Sequence, residues 1–175
     1  HSLNSTHSLN SLTHSTHSPT LSKVAVGARS YHGPGSTSYG SAAPLGESDF
    51  DESVPLHPNY FGVGWTKVYI EKMCEFYSRQ GKTKFTIIRH SNIYGPHDKF
   101  DLEKSHVFGA TMTKVCTAAD GKITVWGAGE EARDLLFIGD LMDFVRCAIV
   151  DQAAQYGLYN CGAGKAVTIR RLVEM

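Results

Sequence analysis

The stretch Lys84 to Pro96, KFTIIRHSNIYGP, decides the fold. Lys84 to Arg89 is a β-branched run, a buried strand by pattern, and it breaks at SNIYGP. The polar segment Arg89 to Asp98, RHSNIYGPHD, follows directly. Open α/β sheets bind ligands just beyond the carboxyl ends of their parallel strands, so this segment is a candidate site. A plain β-turn is the bland alternative.

Working outward, Thr66 to Arg79 carries apolar residues at Val68, Ile70, Met73, Cys74, Phe76 and Tyr77. That spacing predicts a helix with Lys67 in its first turn, stopped at Gln80-Gly81-Lys82. Downstream, Ser105 to Ala118 reads as a second helix, with Ser105 able to cap it. Lys122 to Trp126 (KITVW) reads as a strand closed by Gly127. Ile138 to Gln152 reads as a third helix starting after Gly139, Leu158 to Cys161 as a short strand, and Val167 to Met175 as a further helix. Near the N-terminus Lys23 to Ala28 (KVAVGA) is one short strand, ending in Gly/Ser/Pro turn chemistry. Strands alternating with helices imply an α/β architecture with a parallel sheet.

The 175 residues suffice for one compact domain or part of a larger one, and 41% are hydrophobic. Seventeen basic against seventeen acidic residues give no electrostatic case for nucleic acid or an anionic membrane. No apolar run approaches the roughly eighteen residues of a membrane helix. Cys74, Cys116, Cys147 and Cys161 form no CxxC pair, which excludes a zinc ribbon or a dithiol redox motif. The expectation is a cytoplasmic protein with free thiols. His1 to Ser22 is Ser/His/Thr/Asn-rich, with HSLNSTHSLNS as a short tandem repeat. Its few isolated leucines cannot offset backbone ordering, so it reads as disordered. The low-complexity leader is placed at 1–33 and the domain at 34–175. His1, His7, His14 and His17 give this tail a conceivable metal affinity, but no metal site is assigned.

Three further segments bear on chemistry. Gly35 to Gly40 (GSTSYG) is a hydroxyl cluster in a turn, either solvated or able to hydrogen-bond a substrate oxygen. A tyrosine one helical turn before Lys67 would have its phenol pKa lowered by the ammonium. The residue four before it is Val63, and the nearest preceding tyrosine is Tyr60, seven before. Gly127-x-Gly129 superficially suggests a dinucleotide loop, but Ala132 stands where GxGxxG needs its third glycine.

In this order and spacing, the YG-ending serine turn, GWTK, RHSNIYGPHDKF, SHV, VWGAGEEARDLLFIGD and LYNCG resemble the extended short-chain dehydrogenase/reductase family. These are NAD(P)-dependent nucleotide-sugar epimerases, dehydratases and reductases with a Rossmann-like parallel sheet and a C-terminal substrate-binding part. The likeness runs from about Ser36 to Met175. Within the family the spacing from Asn92 to His106 and from Trp126 to Arg133 is most similar to the GDP-fucose synthase branch, which acts on GDP-4-keto-6-deoxymannose. The resemblance implies NADP or NAD as cofactor, a nucleotide-sugar substrate and a homodimer through helix packing that includes the Lys67 helix. It makes His106 the acid of epimerisation. Lys67 would hold the nicotinamide ribose, and His90 and Asn92 would lie near the cofactor. Asn92, Lys114, Trp126 and Arg133 would contact the sugar nucleotide. An imidazole suits proton transfer near neutrality, and a guanidinium suits bidentate phosphate recognition.

The departures define the expectation equally. Val63 occupies the family's tyrosine position, and Tyr60 replaces it only if Phe61 to Trp65 is re-routed. Ser36 stands at the catalytic serine, with Thr37 and Ser38 competing, and Thr37 replaces a cysteine. About 35 residues precede the serine turn, where the family has roughly a hundred, including the Gly-rich βαβ unit. The chain therefore reads as a fragment or altered product of such an enzyme fused to an unrelated leader. A sugar 4-epimerase, a 4,6-dehydratase or a non-catalytic sugar-nucleotide-binding remnant are the alternatives.

Overall fold

The computed structural model describes residues 23–28, 46–50, 53, 58, 61–102, 104–125 and 127–175. Of the 1–33 leader only Lys23–Ala28 is described; the expectations for the rest of it and for Ser36, Thr37, Ser38, Tyr60 and Trp126 lie outside these residues.

The Lys84–Arg89 run becomes strand β2 (Phe85–His90). Its β-branched core is almost sealed, with Thr86 and Ile87 1% exposed and Ile88 0%. That degree of burial follows from its place between two parallel neighbours, β1 (Lys23–Ala28) and β5 (Tyr156–Cys161). In register, Ala28, His90 and Cys161 align at the carboxyl ends of the three strands. Had β2 been an edge, as expected if neighbouring strands were missing, its apolar run would have been exposed. The structure makes it central.

Successive side chains of β2 face opposite layers. On one side lies α1 (Phe61–Ser78), against all three strands of the sheet. On the other, Ile88 joins Leu136 and Leu141 in a buried cluster, with Ile93, Phe144 and Val145 packed around it. Leu141 belongs to α3 (Ile138–Asp151), which ends at the buried Gln152. There the Gln152 amide accepts from Thr86 Oγ1 at 2.5 Å and donates to the Phe85 and Ala154 carbonyls at 3.0 and 2.9 Å. The helix end is thereby fastened to the central strand.

A second small sheet follows: β3 (Asn92–Tyr94) runs parallel to β4 (Ala132–Phe137), which runs antiparallel to β6 (Ala166–Thr168). α2 (Val107–Thr117) and the short α4 (Ile169–Glu174) complete the fold and touch each other.

Several boundaries differ from expectation. α1 starts five residues early, because Gly62 to Trp65 already winds into helix and Thr66 Oγ1 bonds back to Gly62 O at 2.8 Å. Lys67 therefore lies in the second turn. Ser105 does not cap α2: its hydroxyl bonds the Asp101 backbone, and His106 is the N-cap with no side-chain bond. Lys122 to Val125 is not strand, since β-branched residues hold an extended ladder only where a partner strand lies alongside. SNIYGP and GAGEEARD, read as turns, instead lead into β3 and β4. Val167 begins in β6 rather than in a helix, and α4 is capped by Thr168, whose Oγ1 accepts from Arg171 N at 3.1 Å.

Candidate functional site

Ser91 N donates to Cys161 O at 2.9 Å, so the chain leaves β2 beside the end of β5 and enters β3 at once. Residues paired across a ladder point to the same side, and residues two apart along a strand do too. Asn92 pairs with Leu135 and Tyr94 with Phe137. Asn92, Tyr94, Arg133, Leu135 and Phe137 therefore share one face, and Ile93, Asp134 and Leu136 share the other. Leu136 and Ile93 look into the core beside Ile88. The opposite face receives α2, because the Tyr94 ring meets Phe108 at 4.5 Å and Phe137 at 5.7 Å between centroids. The loop before α2 lies close against it at Gly109, where a β-carbon would stand 2.7 Å from Lys99 O.

On this α2-covered face, Asn92 Nδ2 donates to Asp134 O at 3.3 Å. Arg133 Nη1 donates to Ala132 O at 2.9 Å, and its other terminal nitrogen stands 3.9 Å from a Glu131 carboxylate oxygen. His106 is exposed at the N-terminus of α2, two residues before Phe108, with its carbonyl accepting from Ala110 N at 3.0 Å. The fold thus puts Asn92 and Arg133 on one face of the small sheet, and His106 at the N-terminus of the helix whose Phe108 meets Tyr94 on that face.

The other expected residues lie further apart in the fold. Lys114 is in the last turn of α2, its ammonium on Thr124 O at 2.9 Å. It lines an open groove of about 360 Å³ with Thr117, Ala118, Lys122, Ile123 and Thr124. Lys67 is half-buried on α1, and Val63, one turn earlier on the same side, is 51% exposed. His90 ends β2, with Nδ1 at 2.8 Å from Ser91 O. A carbonyl only accepts, so Nδ1 carries the hydrogen in this bond.

Two groups escaped the sequence reading. One is Asp134, which stands within VWGAGEEARDLLFIGD with no role assigned to it. The other is the Arg89–Glu71 pair, in which Arg89 Nε and Nη2 donate to the two carboxylate oxygens at 3.1 and 2.9 Å. Glu71 had been read as part of the polar helix face, and one-dimensional periodicity carries no sign of its partner. Close by, burial pushes the Tyr156 phenol up to about 12, helped by the charges of Glu71 and Glu75. Burial, then Glu71, raises the Cys74 thiol, and burial, then Asp134 and Asp140, raises Cys161. Among the described residues no group of three or more His, Cys, Asp or Glu could hold a metal ion. Nor is any described helix long and apolar enough to cross a membrane.

The NAD dependent epimerase/dehydratase family model matches residues 16–162. The chain belongs to this family. It is 31% identical to a GDP-L-fucose synthase of Sinorhizobium fredii over 124 residues, 69% of this chain and 39% of that protein. It is 29% identical to a GDP-L-fucose synthase of Escherichia coli over 143 residues, 75% of this chain and 44% of that one. The chain thus spans about two fifths of the length of these curated relatives. Among solved structures, a GDP-L-fucose synthetase from Naegleria fowleri bound to NADP superposes with a TM-score of 0.65 at 22% identity, covering 75% of this chain and 43% of that one. At that identity the likeness shows the fold alone, a Rossmann-like α/β sheet.

Proposed function

We propose that this chain carries the sugar-nucleotide-gripping part of an NAD(P)-dependent epimerase/reductase of the GDP-4-keto-6-deoxymannose type, and that it binds a GDP-linked hexose without turning it over. The observation that carries this reading is the face that Asn92 and Arg133 share on the β3–β4 ladder, where α2 packs Phe108 on Tyr94. In this reading the Arg133 guanidinium pairs with the diphosphate and Asn92 offers an amide to the same group. Family resemblance adds Trp126 and Lys114 as sugar-nucleotide contacts and the His106 imidazole as the group that protonates a ring carbon. The similarity to the GDP-L-fucose synthases of Sinorhizobium fredii and Escherichia coli supports the guanine-linked substrate.

The nicotinamide side fits less well. Lys67 and His90 are in place as basic groups, and Ser36 is the hydroxyl candidate, but Val63 offers no proton donor one turn before Lys67. A hydride step needs a group to give or take the proton at the reacting oxygen. The residues described do not supply one, so no step is routed through NADP or NAD. The aromatic side chains along the outer side of α1, Tyr69 at 64% and Phe76 at 56% exposed, favour a homodimer through this helix. A cytoplasmic setting is part of the same reading.

Calorimetry with GDP-mannose tests the proposal. Binding is expected, weakened about tenfold or more by Arg133→Ala, as loss of a charge-assisted phosphate contact implies. NADPH oxidation with GDP-4-keto-6-deoxymannose, abolished by Lys67→Ala, would overturn the non-catalytic part. Thr37 in place of the branch's cysteine favours a second reading, descent from a 4-epimerase or 4,6-dehydratase. Tighter binding of UDP-glucose than of GDP-mannose would select it.

A further inference from the structure

Asp134 lies next to Arg133 on β4 and faces the other way. Its Oδ1 accepts from Ser91 Oγ at 2.8 Å and from Ala163 N at 2.9 Å, and its Oδ2 accepts from Gly164 N at 2.8 Å. Its backbone carbonyl holds the Asn92 amide. One residue therefore joins the start of β3, the middle of β4 and the loop leaving β5. The approach is close: a β-carbon on Gly162 would lie 3.0–3.2 Å from the carboxylate atoms, so a side chain there presses on the acid.

Ionised acceptors make shorter and stronger hydrogen bonds than neutral ones. A carboxylate shared between a hydroxyl and two backbone amides also couples them, since none can move without stranding the others' acceptor. We infer that Asp134 is a positioning residue, whose carboxylate locks the Gly162–Gly164 loop and the Ser91–Asn92 strand entry into one arrangement and so aims the Asn92 amide. The inference rests on the reading that the Asn92–Arg133 face grips a GDP-linked hexose, and it adds a residue that does not itself touch that ligand. Cys161 offers a chemical reporter of the same spot, because the Asp134 charge helps hold its thiol protonated.

The test compares wild type with Asp134→Ala, Asp134→Asn and Gly162→Ala by residue-resolved amide exchange and by calorimetry with GDP-mannose. Asp134→Ala is expected to speed exchange of the Ala163, Gly164 and Ser91 amides together by about tenfold or more, leaving Ile87 and Ile88 unchanged, as local release without global unfolding requires. GDP-mannose affinity should fall about tenfold alongside. Asp134→Asn, which keeps one carbonyl acceptor, should lose less of both. Gly162→Ala, which pushes the loop off an intact carboxylate, should reproduce the pattern and stands in if Asp134→Ala does not fold. Unchanged exchange at Ala163 and Gly164 would overturn the clamp. Faster exchange with undiminished GDP-mannose affinity would reduce Asp134 to a stabilising role and overturn the positioning. If wild type fails to bind GDP-mannose, the ligand reading is lost, and concerted release of Ser91 with Ala163 still decides whether Asp134 locks the two segments.

Discussion

Replacing Arg89 by alanine is the sharpest test of how this domain is held together. The arginine reaches from the central strand to α1 through two bonds to Glu71, at 3.1 and 2.9 Å, and to the turn at Glu47 through a third, Nη1 to the carbonyl at 2.9 Å. Its guanidinium also lies 5.6 Å from the centroid of the Phe50 ring. The Glu47 carboxylate in turn accepts from Asn160 N at 2.7 Å, so the turn is tied to β5 as well. Both charged side chains are nearly enclosed, 10% and 9% exposed for Arg89 and Glu71. A pair on the surface would be worth about 0–1 kcal/mol. An enclosed pair that loses one member leaves a charge without its counter-ion, which costs about 3–5 kcal/mol. Against a total stability of about 5–15 kcal/mol for a domain, that is a large share.

Urea unfolding followed by circular dichroism reads this directly. Arg89→Ala and Glu71→Ala should each lower stability by about 3–5 kcal/mol, whereas the double change Arg89→Met with Glu71→Leu should cost less than either single. The logic is that the double change removes both desolvation penalties while keeping volume. Two results would refute it: a loss under about 1 kcal/mol for Arg89→Ala, or a double variant whose loss equals the sum of the singles. Either would mean that water reaches the pair and that the contacts seen between α1 and the sheet are carried by packing alone.

Tyr156 should titrate near 12 in a phenolate absorbance experiment. Because the native state holds that proton more tightly than an unfolded chain with a pKa of about 10, its contribution to stability is whole below that value. It is lost as pH rises from there through 12, so the melting temperature should drop across that window. Gln152→Ala strips Thr86 and the Phe85 carbonyl of a buried partner. It should cost about 1–3 kcal/mol in the same urea assay, and a neutral result would show that α3 does not depend on this bond network.

What could be read in advance follows how far each signal is local. KFTIIR was legible because its burial on both faces is written in its own composition, and Ile138 to Gln152 because an amphipathic period repeats over four turns. β3 and β6 are three residues each, too short for any alternation to show. KITVW carried the propensity of a strand without a neighbour to pair with, and Ser105 carried the chemistry of a cap yet was drawn to Asp101. In both cases the deciding partner lies elsewhere in the chain. The spacing from Val63 to Lys67, by contrast, survives the longer α1. The helix extends back through Val63, so the missing phenol is a matter of chemistry, not of register.

The site itself turns on ARDLLF. A charged pair in mid-strand, following Gly127-x-Gly129 and two glutamates, has the composition of a loop, and the reading stopped there. A strand's period of two separates the pair physically. Arg133 goes to the face it shares with Asn92 and Tyr94, and Asp134 to the side where Ser91, Ala163 and Gly164 converge. Adjacent charges of opposite sign therefore need not pair with each other. Arg133 bonds the Ala132 carbonyl and stands 3.9 Å from a Glu131 carboxylate oxygen, while Asp134 is consumed by the frame that keeps its neighbour's strand in register. On the proposed reading, the same residues that disguise β4 as a loop are the ones that supply the charge for a phosphate, because a wholly apolar strand at this position would have been easy to recognise and would have offered none.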